Sequence, residues 1–516
     1  MLPLLLEKKL AIFTNNTALS LFTIGFIGLI VRLYYFPHDI PLSLDVLSYF
    51  FYANDVSVSD ELPAGYYFPN NGWPLFISFF FSIFHSNDIL DYMGLQRCLS
   101  ISISVLTLVP VYFLCRRFVE KQYCLFGAAL FALDPRLIQN SLLGDTQPLF
   151  ICLGAISLSL FFSKNMKIVY LSFGMAAMLA VIRYEGLLLI IPFGIMYLVR
   201  FRKEDKIILK FGVAIAIFLL VIVPVSYIRT QSLGNDGLTS QVIGGAVATD
   251  TLMKANNEES GANFIINGFV NLLRFLGWIL IPIFVFFVPI GAFYFVRKAD
   301  HKTVTILLIL FIMLLPAFYA YARDIKETRY LYFIFPIFCV FSAFAIKKFL
   351  SKTKRENLVL IAVICCVISA SVAFLDYKKI DYEHEREAYE ISKHVSKITK
   401  VINDYYPEIK YIRVPPQTHD FPTVINGTKF GPEAIPVDGF NSLEEFIESA
   451  NNKLDHLVLD GTKNRPNFLN EVYFNEQKYP YLTKEFDSKE SGFDYHVKIY
   501  KIDYEKYAAY KNPKQE

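Results

Sequence analysis

The stretch His38-Asp39-Ile40-Pro41-Leu42-Ser43-Leu44-Asp45, continued by Tyr49, Tyr52 and Ala53, decides how the chain is read. It follows directly on a hydrophobic run from Thr17 to Phe36. Such a run crosses a bilayer, because ~20 residues at ~1.5 Å each span the hydrocarbon core. The carboxylates therefore emerge at one membrane face, where they are tolerated; at mid-helix an Asp costs about 2.5–3.5 kcal/mol. Further on come Pro69-Asn70-Asn71-Gly72-Trp73-Pro74-Leu75 and a short apolar stretch to Phe84. By itself so polar a stretch reads as a solvated loop. Its surroundings argue for more.

The chain has 516 residues, 54% of them apolar and 19% charged, as in a polytopic membrane protein with a soluble remainder. A net charge of +3 gives nucleic-acid binding no support. About eleven segments are long and apolar enough to span: 17–36, 95–114, 122–139, 147–163, 168–182, 186–200, 207–228, 275–296, 303–321, 330–346 and 357–375. The stretch 73–84 is too short and is expected as an amphipathic or re-entrant helix at the interface. With that choice Arg116, Arg117, Lys121, Arg200, Lys298, Lys302 and Lys347 all fall on the side of Lys8, while the loop 37–94 holds no Lys and, before Gln96-Arg97, no Arg. The positive-inside rule then puts the N-terminus in the cytoplasm and the Asp45 loop outside.

After Leu375 the composition turns polar, so 1–375 reads as a membrane domain and 376–516 as a small exterior α/β domain. Within the latter, Asp381–Tyr405 has helical spacing ending at Pro407. Tyr411–Val414, His456–Leu459 and Tyr495–Ile502 read as strands, and Ser442 caps a helix with Glu445 three residues on. All seven Cys lie in or beside apolar segments and read as small core residues, so no disulfide framework is expected. The eight His show no ligand spacing.

The polar residues on the outer side carry the chemistry. Asp145-Thr146-Gln147-Pro148 occupies the second outer loop, Arg97 begins the second span, and Arg183-Tyr184-Glu185-Gly186 makes a tight turn. Arg323, Asp324, Lys326, Glu327, Arg329 and Tyr330 crowd the outer ends of the ninth and tenth spans. Singly, each Arg or Tyr is an ordinary interfacial anchor. Together they place carboxylates in two loops and cations at several helix ends. Transfer from a lipid phosphate needs that combination: a carboxylate deprotonates the acceptor, and cations hold a phosphate whose charge grows as it leaves.

These residues resemble the GT-C glycosyltransferases, polytopic enzymes that use polyprenyl-phosphate-linked sugars. That class includes the protein O-mannosyltransferases, the aminoarabinose transferase of lipid A and the catalytic subunit of oligosaccharyltransferase. The resemblance runs through Asp45, Tyr49 and Ala53, then Pro69 to Leu75, Gln96-Arg97-Cys98-Leu99, Pro135 with Ser141, Arg183 to Gly186, and Arg329-Tyr330 with Pro336. It implies a fold of GT-C type, with Asp45 as catalytic base and inversion at the anomeric carbon. The other candidate substrate-binding residues are Tyr49, Arg97, Asp145, Arg183, Glu185, Arg323, Arg329 and Tyr330. The implied partners are a polyprenyl-phosphate-linked sugar and a protein or glycolipid acceptor.

Two departures stand out. The lipid A transferases carry Lys-Pro-Pro in the first loop, where the lysine contacts lipid phosphate; this chain has Gly72-Trp73-Pro74. Many relatives have an acid before Pro-Leu-Phe in the second loop, and here Gln147 stands there. A divalent cation between Asp45 and Asp145 is a further option, though one carboxylate per loop is a thin ligand set. The rival reading is a transporter or flippase for lipid-linked sugars. Such proteins place ionisable groups near the midplane, often in repeated halves.

Overall fold

The computed structural model describes residues 16–63, 66, 71–241, 243–244, 258–351, 356–404, 432–462 and 465–512. It divides into two compact units. One comprises residues 1–36, 48–85 and 92–377; the other comprises 37–47, 86–91 and 378–516.

The first unit is helical. Helix α1 (Thr17–Tyr34) is capped by Asn16, whose side chain accepts from Leu19 N at 3.2 Å. Helix α2 (Leu44–Ser59), whose first residues belong to the second unit, and helix α3 (Gly72–Ile83) follow. The short α3 buries Trp73, Ile77 and Phe81 and exposes Phe79 and Ile83, so it is a one-faced apolar helix too short to span. Helices α4 (Ile89–Leu106) and α5 (Leu108–Arg116) make one long spanning stretch. Then come α6 (Lys121–Leu133), α7 (Pro135–Leu143), α8 (Gln147–Phe161), α9 (Met166–Ile182), α10 (Ile190–Arg200) and α11 (Ile207–Leu233). The unit continues with α12 (Glu258–Leu280), α13 (Phe284–Val296), α14 (His301–Met313), α15 (Leu315–Ala322), α16 (Phe335–Leu350) and the first part of α17 (Glu356–Ile398), which belongs to the second unit from Lys378 on.

Seven of the described stretches are long and apolar enough to cross a membrane. The four expected segments between 122 and 200 are shorter helices, and the candidate span Asn263–Leu280 begins well before the expected 275–296. The expected 122–139 segment is cut in two, because Asp134 accepts from Arg136 N and Leu137 N, both at 3.0 Å, and Pro135 starts a new helix. The expected 275–296 segment is likewise two helices, parted at Ile281-Pro282. An unexpected feature ties α1 into the bundle: Arg32 is fully buried. Its Nε donates to Ser141 Oγ (3.1 Å), Nη1 to the carbonyls of Gly28 and Ala132 (both 2.9 Å), and Nη2 to Ser104 Oγ (2.9 Å). A guanidinium here persists because its donors are satisfied on four sides.

The second unit is an α/β sandwich. Strands β1 (Val401–Asn403), β2 (Glu433–Ile435), β3 (His456–Asp460), β4 (Leu482–Asp487) and β5 (Val497–Ile502) form one sheet in the order β2-β1-β3-β5-β4. The β1 pairings are parallel and those of β5 antiparallel. Alternate strand residues face opposite layers. Val458 and Ile499 pack with Ile391 and Val395 of α17. Leu457, Leu459 and Tyr500 pack with Phe446 of α18 (Leu443–Ser449) and Leu469 of α19 (Asn467–Phe474). A final helix, α20 (Tyr504–Lys511), follows β5. Ser442 caps α18 as expected, accepting from Glu445 N at 3.1 Å. The helix expected over 381–405 is instead the continuation of the last apolar segment and ends at Ile398; no Gly or Pro interrupts 376–398. The strand expected at 411–414 lies outside the described residues, as do Pro69 and Asn70.

Candidate functional site

In the first unit, three chain turns bring most of the expected polar residues together. The first is the αL turn at Gly144 (φ 80°) that ends α7 and delivers Asp145 to the start of α8. The second is the end of α9, where Arg183 leaves the helix in extended conformation and a 3-10 turn over Tyr184–Leu189 carries Glu185. The third is the 3-10 turn Thr328–Ile334, which carries Arg329 and Tyr330.

The contacts among them are specific. Arg183 Nη2 donates to Glu185 Oε1 at 2.6 Å, and its Nη1 lies 3.5 Å from Thr146 Oγ1. Its guanidinium faces the rings of Phe150 and Tyr330 at 5.8 and 6.0 Å. Arg329 Nη1 is 3.8 Å from Asp145 Oδ2, and its Nε pairs with Glu327. Gln147 closes the group. With its amide turned to satisfy its neighbours, its nitrogen donates to both Asp145 oxygens (2.7 and 3.0 Å) and its oxygen accepts from Arg183 Nη1 at 3.1 Å. An acid at this position would repel Asp145; the neutral amide bridges carboxylate and guanidinium. Glu185 Oε2 is buried and has no hydrogen-bond partner among the described residues.

Asp45 lies in the first turn of α2, exposed, directly after Leu44, whose φ of +53° is left-handed. That conformation costs a non-glycine residue about 1–2 kcal/mol and sets the angle at which the helix begins. One helical turn later Tyr49 is buried, and it interacts electrostatically with Arg183. Asp39, which reads as a solvated acid, is ion-paired with Arg386.

Arg97 is 5% exposed, and its Nε donates to the carbonyl of Leu142 at 3.0 Å. Its neighbour Gln96 donates to Gly144 O at 2.8 Å, and Trp73 Nε1 donates to the same oxygen at 3.1 Å. Three donors from α3 and α4 thus grip the last carbonyls of α7, just before Asp145. Together with Arg32 on Ser141 they fix where that carboxylate sits. Arg323 is exposed, with Nη1 3.4 Å from Tyr319 Oη, and no contact among the described residues ties it to the Asp145 group.

Sequence reasoning passed over Gln147 as a partner, the grip of Trp73 and Gln96, and Arg32. It also passed over Arg229 of α11, which is buried and donates to Asn71, itself 3.3 Å from Tyr52 Oη. Arg32 alone carried a signal, being an ionisable residue inside a spanning run. Among the described residues no group of three His, Cys, Asp or Glu side chains could hold a metal ion. Asp145, whose oxygens are engaged by Gln147 and faced by Arg329, does not make a ligand set for a hard divalent cation.

Residues 258–425 match the Alg9-like mannosyltransferase family. No curated protein sequence matches significantly. Among solved structures, the Archaeoglobus fulgidus oligosaccharyltransferase in its apo form is similar at TM-score 0.55 and 12% identity, over 86% of this chain and 69% of that one. The same organism's AglB, in complex with an inhibitory peptide and a dolichol-phosphate, gives 0.52 and 13%, over 85% and 69%. ArnT from Cupriavidus metallidurans, bound to undecaprenyl phosphate, gives 0.54 and 9%, over 93% and 97%. The likenesses show a multi-pass membrane protein with the GT-C fold, and with the partial mannosyltransferase match they agree with the resemblance read from the sequence.

Proposed function

We propose that the chain transfers a sugar from a polyprenyl-phosphate donor to an extracytoplasmic acceptor, a protein or a glycolipid, with inversion at the anomeric carbon. The observation that carries this is the convergence of Asp145, Gln147, Arg183, Glu185 and Arg329 at one end of the helix bundle. Polyprenyl phosphates bound to AglB and ArnT support the donor class.

In this reading Asp45 accepts the proton of the acceptor hydroxyl as its oxygen attacks the anomeric carbon. The bond to the phosphate oxygen breaks in the same displacement, which inverts the centre. Arg183 and Arg329 hold the leaving phosphate as its charge grows, and Tyr49 and Tyr330 flank it. The buried Glu185 Oε2 accepts from a sugar hydroxyl. Arg97 acts through the Leu142 carbonyl, holding the Asp145 turn. Phosphate binding by Arg323, the expected outer cation without a tie to this group, is secondary.

The excess of Lys and Arg at the opposite helix ends supports a cytoplasmic N-terminus, with the residues after 377 outside. Single cysteines at Asn235 and Glu204 in a Cys-free background test this. The first should react with an impermeant reagent on intact cells and the second should not. The function itself is tested with purified protein in liposomes and a panel of polyprenyl-phosphate sugars. Glycosylated acceptor and released polyprenyl phosphate should appear in equal amounts. Movement of the lipid-linked sugar between leaflets without transfer would favour the transporter reading.

A further inference from the structure

The other ends of the same helices hold a second cluster, which the transfer reaction does not use. Arg117, just past α5, donates from Nε to Ser159 O at 2.9 Å. Arg200, at the end of α10, donates to the carbonyls of Phe161 and Ser163. Lys302, in the first turn of α14, donates to Arg117 O at 2.5 Å. Lys298, after α13, is exposed, with Nζ 4.3 Å from the centre of the Phe344 ring.

These four cations feel one another: Arg200 is repelled by Arg117, and Lys302 by Arg200, Lys298 and Arg117. Among the described residues none of the four has a carboxylate ion-pair partner. The nearby acids have other principal partners, although Asp300 attracts Lys302 and Glu120 attracts Lys298 at longer range. Asp300 accepts from Thr303 N and Oγ1 at 2.8 and 2.9 Å, and Glu120 pairs with Lys347 at 2.6 Å.

Carbonyl caps on α8 account for part of the arrangement, since cations are favoured at a helix C-terminus. They do not account for four cations in mutual repulsion. Nor do they use the fork of Arg117: its two Nη groups have no hydrogen-bond partner among the described residues, and a guanidinium presents its paired N–H groups to phosphate oxygens. The neighbouring Val199, Val296 and Ile208 are exposed apolar residues of the bundle's outer surface. A ligand with an anionic head and an apolar tail fits both halves of this description.

We propose that Arg117, Arg200, Lys298 and Lys302 form a binding site for the phosphate headgroup of an anionic phospholipid, in the leaflet opposite the transfer site. The lipid's charge neutralises the cluster, and its acyl chains lie along Val199, Ile208 and Val296.

The test uses the full chain purified in neutral detergent, with native mass spectrometry and thermal unfolding as readouts. The probes are short-chain phosphatidylglycerol, short-chain phosphatidylcholine and inorganic phosphate. Phosphatidylglycerol should bind at least fivefold more tightly than phosphatidylcholine and raise the Tm; inorganic phosphate at equal concentration should not. Arg117→Gln combined with Lys298→Gln should weaken phosphatidylglycerol binding about tenfold. Lys347→Gln, on the same face but paired with Glu120, should leave it unchanged. Should Arg117→Gln prevent folding, Lys298→Gln alone decides, because its ammonium makes no hydrogen bond to the described residues; about fivefold weakening is expected. Equal binding of both lipids, unchanged binding in the variants, or a full shift with inorganic phosphate would each overturn the proposal.

Discussion

The two ends of the membrane bundle use arginine in opposite ways. At the end carrying Asp145, Arg183 pairs with Glu185 and Arg329 faces Asp145 and Glu327, with Gln147 between. At the other end, Arg117 and Arg200 touch backbone carbonyls and no carboxylate among the described residues. A guanidinium held by carboxylates is fixed in place and can meet a charge that appears during a reaction. One held by carbonyls keeps its full positive field and suits a permanent anion. In the two readings proposed above, the first end is organised for chemistry and the second for attachment.

The sharpest way to break this comparison is Asp45→Asn. A positioned carboxylate contributes about 10²–10⁴ in rate, so transfer should fall by that factor while expression and insertion are retained. Asp39→Asn removes only an exposed ion pair, worth about 0–1 kcal/mol, and should change little. The opposite ranking would move the base to Asp39.

Next in size are the arginines themselves. Arg329→Gln and Arg183→Gln should each lower kcat by about 10²–10³, the loss typical of removing one stabilising donor from a transition state. Arg200→Gln should leave kcat within about twofold once the protein is folded. Equal losses at both ends would erase the distinction drawn above.

Gln147→Glu sharpens it. A second carboxylate beside Asp145 meets like charge, which costs about 4 kcal/mol at ~4 Å and an effective dielectric of ~20, before Arg183 compensates. Transfer should fall about tenfold. Wild-type transfer should survive chelation, whereas the variant, with two acids side by side, should respond to added Mg or Mn.

A smaller effect belongs to Trp73→Phe, which removes one of two donors from Gly144 O. A neutral hydrogen bond of about 1 kcal/mol corresponds to about fivefold in transfer. With Gln96→Leu added, the loss should exceed the product of the two.

The smallest lies in the sheet-containing unit and separates acid sensitivity of the fold from that of the chemistry. His496 packs between Tyr473 and Asp487, its Nε2 3.1 Å from Asp487 Oδ1, with Lys489 and Lys498 nearby. Burial pushes its pKa below the ordinary value, against the pull of Asp487. The unfolded chain therefore takes up a proton that the folded one refuses. This stability is fully present above about pH 6.5 and declines as the pH falls toward the lowered pKa. Protection factors in β4 and β5, taken relative to the intrinsic exchange rate at each pH, should fall between pH 7.5 and 5.5, and His496→Gln should flatten that dependence.

The membrane bundle was legible because apolar run length is a one-dimensional property, and so were Asp145, Arg183, Glu185 and Arg329, polar residues at the ends of apolar runs. The breaks at Asp134-Pro135 and Ile281-Pro282 were visible as prolines but were overridden by hydropathy. What stayed hidden was pairing at long range. Trp73 meets Gly144 across 71 positions and Arg32 meets Ser141 across 109. No local pattern reports such a contact. Gln147 stood out as a departure, but its role depends on what Asp145 and Arg183 do around it.

Gly72 limits which sequences the first loop of this chain can accept. A Cβ there would lie 2.5 Å from Val181 O and 2.9 Å from Ile182 Cα, backbone atoms at the end of α9. Grafting the Lys-Pro-Pro sequence onto the first loop, an obvious route to altering donor choice, would therefore drive α3 from α9 and shift the turn that carries Arg183. Swapping loops among GT-C enzymes by alignment would fail here for reasons of backbone clearance. A library built to change the specificity of this chain should hold position 72 constant and vary the residues around Gln147 instead.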